Sequence, residues 1–125
     1  MSIPFITAEE AAQCIKNGDN VGFSGFTASG TPKVVSVALA ERARKLHEQG
    51  EEFKINVYTG ASTNDHVDGE LARANAIASR TPYQSHKDAR AGVNNGDIQY
   101  FDYHLSHVSQ DLRYGFLGDL DVAVI

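Results

Sequence analysis

A single cysteine, Cys14, leaves the chain with no internal disulfide, so the fold must rest on its core, and a reducing, cytoplasmic setting is expected. Cys14 falls on or beside the apolar side of the first helix, which suits an inert thiol better than a nucleophile. No second thiol completes a zinc site and no helical His-x-x-x-His pair occurs. Asp65-His66-Asp68 and Asp102-His104-His107 lack regular ligand spacing, so no metal is expected. Long hydrophobic runs are missing too. None approaches the roughly 18 residues of a membrane-crossing helix, and Met1 to Glu10 lacks the basic and apolar regions of a secretory leader. Positive charge is sparse: 11 Lys and Arg stand against 16 Asp and Glu, with no basic cluster, which argues against nucleic-acid binding. What remains, 42% hydrophobic and 22% charged residues in a chain of 125, is the make-up of one ordinary soluble domain.

Local signals order the elements. Thr7 and Glu10 form a capping box ahead of Ala8, Ala11, Ala12 and Ile15 at helical spacing, and Asn17-Gly18 ends that helix. Val21-Gly22-Phe23 is a short strand leading into a loop from Ser24 to Gly30. Thr31 is the expected N-cap, and Pro32 the expected first-turn residue, of a helix reaching about Gln49. Phe53, Ile55 and Val57 alternate with polar residues as a second strand, opening into a loop from Thr59 to Asp65. A short helix from about Gly69 to Asn75 takes Asp68 as its cap, and Pro82 limits Ile77 to Tyr83 to a short or edge strand. Ser85 and Asp88 are caps for a helix that Asn94-Asn95-Gly96 stops. A strand from Ile98 to Tyr103, a helix from about His107 to Tyr114 and an apolar strand from Asp121 to Ile125 complete the order. Strands alternating with helices predict an α/β fold, a mainly parallel sheet with helices on its faces. A chain that stops on so apolar a strand is expected to be a truncated piece of a longer protein, prone to self-association along the edge near Val122 to Ile125.

In parallel sheets ligands bind outside the carboxyl ends of strands. The loop Gly25 to Pro32 leaves a strand, passes two glycines and enters a helix. Free N–H groups there favour a phosphate, carboxylate or oxyanion, and Thr27, Ser29 and Thr31 add hydroxyls. Gly25 and Gly30 have P-loop spacing, but Thr31-Pro32-Lys33 stands where Lys-Ser/Thr is required, and the dinucleotide fingerprint is absent. A plain turn accounts for the same glycines equally well. No Gly-x-Ser-x-Gly elbow occurs.

Asn17-Gly18-Asp19-Asn20 with Val21 to Pro32 resembles the N-terminal signature of the class I coenzyme A transferases, with Gly25-Phe26, Gly30 and Pro32 in register. Gly22 stands where the signature has an apolar residue, and Ser24 replaces its first glycine. These departures are similar to the branch of acetyl-CoA hydrolases and succinyl-CoA:acetate CoA-transferases. Tyr58 to Ser62, Arg80 to Gln84, Tyr103 to His107 and Tyr114 to Gly118 also resemble that branch. The resemblance implies a CoA-transferase-like fold and a cleft shared by two α/β domains. It implies a coenzyme A thioester as substrate, with no tightly bound cofactor, and a small carboxylate or water as acceptor. A homo-oligomeric intact enzyme is the corresponding expectation. The nucleophilic glutamate would lie in the second half of the polypeptide, so no glutamate of this chain is assigned to it and the chain alone is expected to be inactive. Gly25, Phe26, Thr27, Gly30, Thr31 and Pro32 would line the acyl-CoA or carboxylate site, and Ser62 and Thr81 would contact the acyl or carboxylate group. The alternatives are a non-catalytic anion- or CoA-binding module and one subunit of a split CoA transferase.

Overall fold

The computed structural model describes residues 2–61 and 63–125. Helix α1 (Ala8–Gln13) begins at the capping box: the Glu10 N–H donates to Thr7 Oγ1 at 3.2 Å and the Thr7 N–H to Glu10 Oε2 at 2.8 Å. The chain continues through β1 (Asn20–Phe23), α2 (Val35–Glu48) and β2 (Ile55–Tyr58). A π-helical turn (Asp65–Gly69) runs directly into α3 (Glu70–Arg73), followed by β3 (Ile77–Thr81) and α4 (Lys87–Asn95). β4 (Gln99–Tyr100), α5 (Leu105–Arg113) and β5 (Val122–Val124) close the order. All strand pairings are parallel and the sheet runs β4-β3-β2-β1-β5, so the protein is α/β as its alternating elements predict.

This order divides the sheet into two unlike faces. The chain winds one way from β1 to β4, then crosses back to lay β5 on the other side of β1. Val21, Phe23, Ile55, Val57 and Ile77 point to one face, where Ala12 and Ile15 of the α1 region, Leu39 and Ala43 of α2, and Val67 and Leu71 cover them. α4 extends this layer against α3. The opposite face carries Asn20, Gly22, Asn56, Tyr58 and Ser79. Asn56 Nδ2 donates to Asn20 Oδ1 at 2.9 Å and Ser79 Oγ to Asn56 Oδ1 at 2.7 Å, a polar ladder across three strands. Among the described residues no helix is long and apolar enough to cross a membrane.

Several expectations are corrected. Thr31 does not cap α2, which starts at Val35 with no side-chain cap; Thr31 is buried, and its hydroxyl is taken by the amide of Asn64. Asp68 does not cap a helix either, because it is buried beside Arg80, and Asn64 caps the turn by accepting from the Val67 N–H at 3.1 Å. The cap of α4 is the His86 ring, whose Nδ1 accepts from the Asp88 N–H, rather than Ser85. β3 is short, one of the two alternatives Pro82 allowed, but lies inside the sheet and not at its edge, since Pro82 follows the last strand residue and removes no ladder bond. Only Gln99–Tyr100 of the segment from Ile98 to Tyr103 pairs as a strand, and Cys14 is exposed at the end of α1.

Candidate functional site

The point where the winding reverses lies between β1 and β5, and their carboxyl ends are where an open α/β sheet forms a crevice. A cleft of about 330 Å³ sits there, floored by Gly22, Tyr58 and Ala123, bounded by Ser24, Thr59 and Gly60, and roofed by Leu105, Val108 and Leu112 of α5. Those α5 residues recur three and four positions apart, so one stripe of the helix faces the sheet. At Gly22 a Cβ would stand 3.1 Å from Leu120 Cδ2, so a larger residue here asks the Leu120 side chain to give by a few tenths of an ångström. Tyr58 reaches through the same layer and its hydroxyl donates to the Leu117 carbonyl at 2.9 Å. Burial and, secondarily, the carboxylate of Asp121 push its phenol above the ordinary value, which keeps it protonated as a donor. Asp121 is itself anchored, accepting from the Asn20 N–H at 2.8 Å.

Beside the cleft, Gly25 to Pro32 folds into a tight hairpin. Phe26 and Ser29 exchange N–H···O bonds of 2.9 and 3.0 Å, and the Thr27 N–H donates to the Ala61 carbonyl at 2.8 Å. The N–H groups of Phe26, Thr27 and Ser29 are therefore spent within the loops. Gly25 has a φ of 129°, and a Cβ on it would lie 2.2 Å from Thr31 Cγ2, so only glycine fits. Phe26 is 68% exposed, while Thr31 is buried. Thr81 ends β3 with its hydroxyl on the Phe101 carbonyl at 2.8 Å, and its own carbonyl accepts from the Thr59 N–H at 3.2 Å. The structure thus gathers the Gly25–Pro32 loop, the loop after β2 and Thr81 along one end of the sheet. Ser62 lies outside the described residues. Among the described residues, none of the sequence-predicted group borders the cleft directly. Ser24, Tyr58, Thr59 and the α5 stripe do; the resemblance marks Ser24 and Tyr58 to Ser62, whereas Val108 and Leu112 went unread although they stand at helical spacing from Leu105.

A separate cluster joins the π-turn, α3 and α4. Asp65, His86 and Asp88 bring potential ligand atoms within 4.8 Å of one another. Arg73 already fills their centre, with Nη1 2.8 Å from Asp65 Oδ1 and 2.7 Å from Asp88 Oδ2, and it also holds Glu70 at 2.8 Å. The Arg73 bond holds the Asp65 carboxyl below its ordinary range, and bonds from Arg44 and Arg73 do the same for Glu70. The cluster is a charge network that pins helices together.

Over residues 3–125 the chain matches the family described as the acetyl-CoA hydrolase/transferase N-terminal domain. It is 45% identical over 120 residues to a propanoyl-CoA:succinate CoA transferase of Escherichia coli (strain K12), covering 96% of this chain and 24% of that protein. A succinyl-CoA:acetate CoA-transferase of Clostridium kluyveri is 46% identical over 120 residues, covering 96% and 22%. An acetyl-CoA hydrolase of Yarrowia lipolytica is 39% identical over 127 aligned positions, covering 92% and 24%. The chain spans about a quarter of the length of these relatives.

Proposed function

The chain belongs to the acetyl-CoA hydrolase/transferase family, and on that premise we propose that it is the N-terminal part of an enzyme acting on acyl-CoA. That enzyme moves coenzyme A between an acyl-CoA and a small carboxylate such as acetate or succinate, or hydrolyses acetyl-CoA. The observation that carries this reading is the family match across residues 3–125. The cleft where the sheet reverses its winding supports it by offering an apolar, partly enclosed place for a thioester.

The chemistry runs through a glutamate supplied by polypeptide outside this chain. Its carboxylate attacks the thioester carbonyl and the coenzyme A thiolate leaves, giving an acyl-glutamyl anhydride. The thiolate then attacks the glutamyl carbonyl, releasing the first carboxylate and leaving a glutamyl-CoA thioester. An acceptor carboxylate reverses these steps in a transferase, whereas water cleaves the thioester in a hydrolase. Each attack builds an oxyanion, and fixed donors placed there are worth several kcal/mol. Gly25, Phe26, Thr27, Gly30, Thr31 and Pro32 stand beside the cleft rather than on its walls, and in this reading they line the adjoining acyl-CoA or carboxylate side, with Ser62 and Thr81 contacting the acyl or carboxylate group. The intact enzyme is a cytoplasmic homo-oligomer with no tightly bound cofactor.

The test assays the full-length polypeptide for exchange of label from acetate or succinate into acyl-CoA and for thioester hydrolysis, beside the 125-residue chain alone. Turnover by the long form, its loss when acyl-CoA-loaded enzyme meets hydroxylamine, and no turnover by the short form are expected. A full-length protein with neither activity overturns the reading. CoA or acetate binding by it without turnover would point to a binding module, and activity only with a separate glutamate-bearing chain to a split enzyme.

A further inference from the structure

On the helix-covered face one residue breaks the apolar pattern. Arg80 stands beside Val57 in the parallel register, and its side chain and that of Asp68 are both fully buried. Arg80 Nε donates to Asp68 Oδ1 at 2.7 Å, and Nη1 donates to the Thr81 carbonyl at 2.8 Å. A buried ion pair gains little stability over apolar groups of the same shape, so stability alone is a poor account of it. Its connections are more telling. The Asp68 N–H donates to the Asn64 carbonyl at 3.0 Å, and the buried Asn64 amide donates to the Thr31 hydroxyl. Thr31 packs against Gly25, and the Thr81 carbonyl also receives the Thr59 N–H. One string of polar groups therefore ties the loops after β1, β2 and β3.

We infer that Asn64, Asp68 and Arg80 are positioning residues, a brace under the floor of the site that sets Thr31, Thr59 and Thr81 relative to one another. This rests on the proposed reading of the site as the acyl-CoA cleft. The brace acts through those residues and does not touch substrate. Displacing a reacting group by about 1 Å costs on the order of a hundredfold in rate, so loosening the brace falls on kcat and leaves ground-state binding largely intact.

The experiment uses the full-length enzyme. The double variant Asp68→Leu/Arg80→Met replaces the ion pair with apolar side chains, which commonly preserves folding. Expected are a melting temperature within a few degrees of wild type, a kcat lowered at least about tenfold and a KM for acyl-CoA changed less than about threefold. Wild-type kinetics in this folded variant overturn the brace. Should the double variant not fold, Asn64→Ala, Thr31→Val and their combination decide: each single change lowers kcat about tenfold and the pair together no further, because they break the same link. Independent, multiplying losses, or losses confined to KM, overturn the inference. An inactive wild-type enzyme overturns the proposed function and this inference with it, whereas an active wild type with unaffected variants overturns the brace alone.

Discussion

The two faces of the sheet divide the labour of the molecule. On one, β1, β2 and β3 present Val21, Phe23, Ile55, Val57 and Ile77 to α1, α2 and α3, and most of these side chains have no exposed surface. On the other, the same strands present Asn20, Gly22, Asn56, Tyr58 and Ser79, covered by α5 and the segment that carries Leu117 and Leu120. Apolar burial stabilises by about 25 cal/mol per Å² removed from water, so the first face carries most of the fold's stability. The second forgoes that gain and keeps a cleft. Exposed Leu105, Tyr114, Phe116 and Leu120 all belong to the thinly covered side or its approach, whereas α2 between Ala38 and Ala43 buries its apolar stripe.

The contrast can be broken most violently from within the tight face. Asp68→Ala removes the carboxylate that faces the buried Arg80 guanidinium, and breaking a buried ion pair by removing one member typically costs about 3–5 kcal/mol. Chemical denaturation should show a loss of that order; a loss under about 1 kcal/mol would mean water or a new partner reaches Arg80 and the face is looser than its burial implies. Truncations on the two faces sharpen the comparison. Leu39→Ala, at 0% exposure in α2, should cost about 3 kcal/mol through lost transfer energy and a cavity that rigid neighbours do not fill. Val108→Ala, at 6% exposure in α5, should cost about 1 kcal/mol, because it enlarges a cleft already open. Equal losses at the two sites would erase the distinction between the faces.

Local chemistry made much of the tight face legible. The Thr7–Glu10 box, the alternation of Phe53, Ile55 and Val57, and the left-handed cap at Gly96 need only near neighbours to be satisfied, and each occurs where the spacing puts it. Misreadings arose where a distant partner outbid a near one. Thr31 has the side chain of a cap, yet Asn64, 33 positions away, takes its hydroxyl. Asp68 reads as a helix cap, and only the packing of the π-turn on β3 makes it one member of a buried pair with Arg80. Pro82 signalled a short or edge strand because its ring cannot donate; the strand is short but central, and Pro82 stands one residue past the ladder, where nothing is asked of it. The Gly25–Pro32 loop was legible as a special loop, through its glycines. That its N–H groups turn inward depends on Ala61 and Ser29, which no spacing rule supplies.

The smallest expected effect lies at the rim of the tight face, and its sign follows from the charges. Asp65 and Glu70 have ordinary values of 3.8 and 4.5; a hydrogen bond from Arg73 lowers the first in the folded chain, and bonds from Arg44 and Arg73 lower the second. A carboxylate with a depressed folded value binds fewer protons folded than unfolded. Its contribution is thus fully present above the ordinary value and is lost as pH falls through the folded one. The network therefore helps at neutral pH and fades under acid. Arg73 and Asp65 are well exposed, so solvent screens much of the gain. Glu70→Gln should flatten the fall in stability between about pH 5 and pH 3 and make the whole curve less salt-sensitive. Denaturation midpoints measured across that range in low and high salt check both. An acid limb unchanged by the substitution would place the acid sensitivity outside this network, and the rim would then be a bystander to the stability of that face.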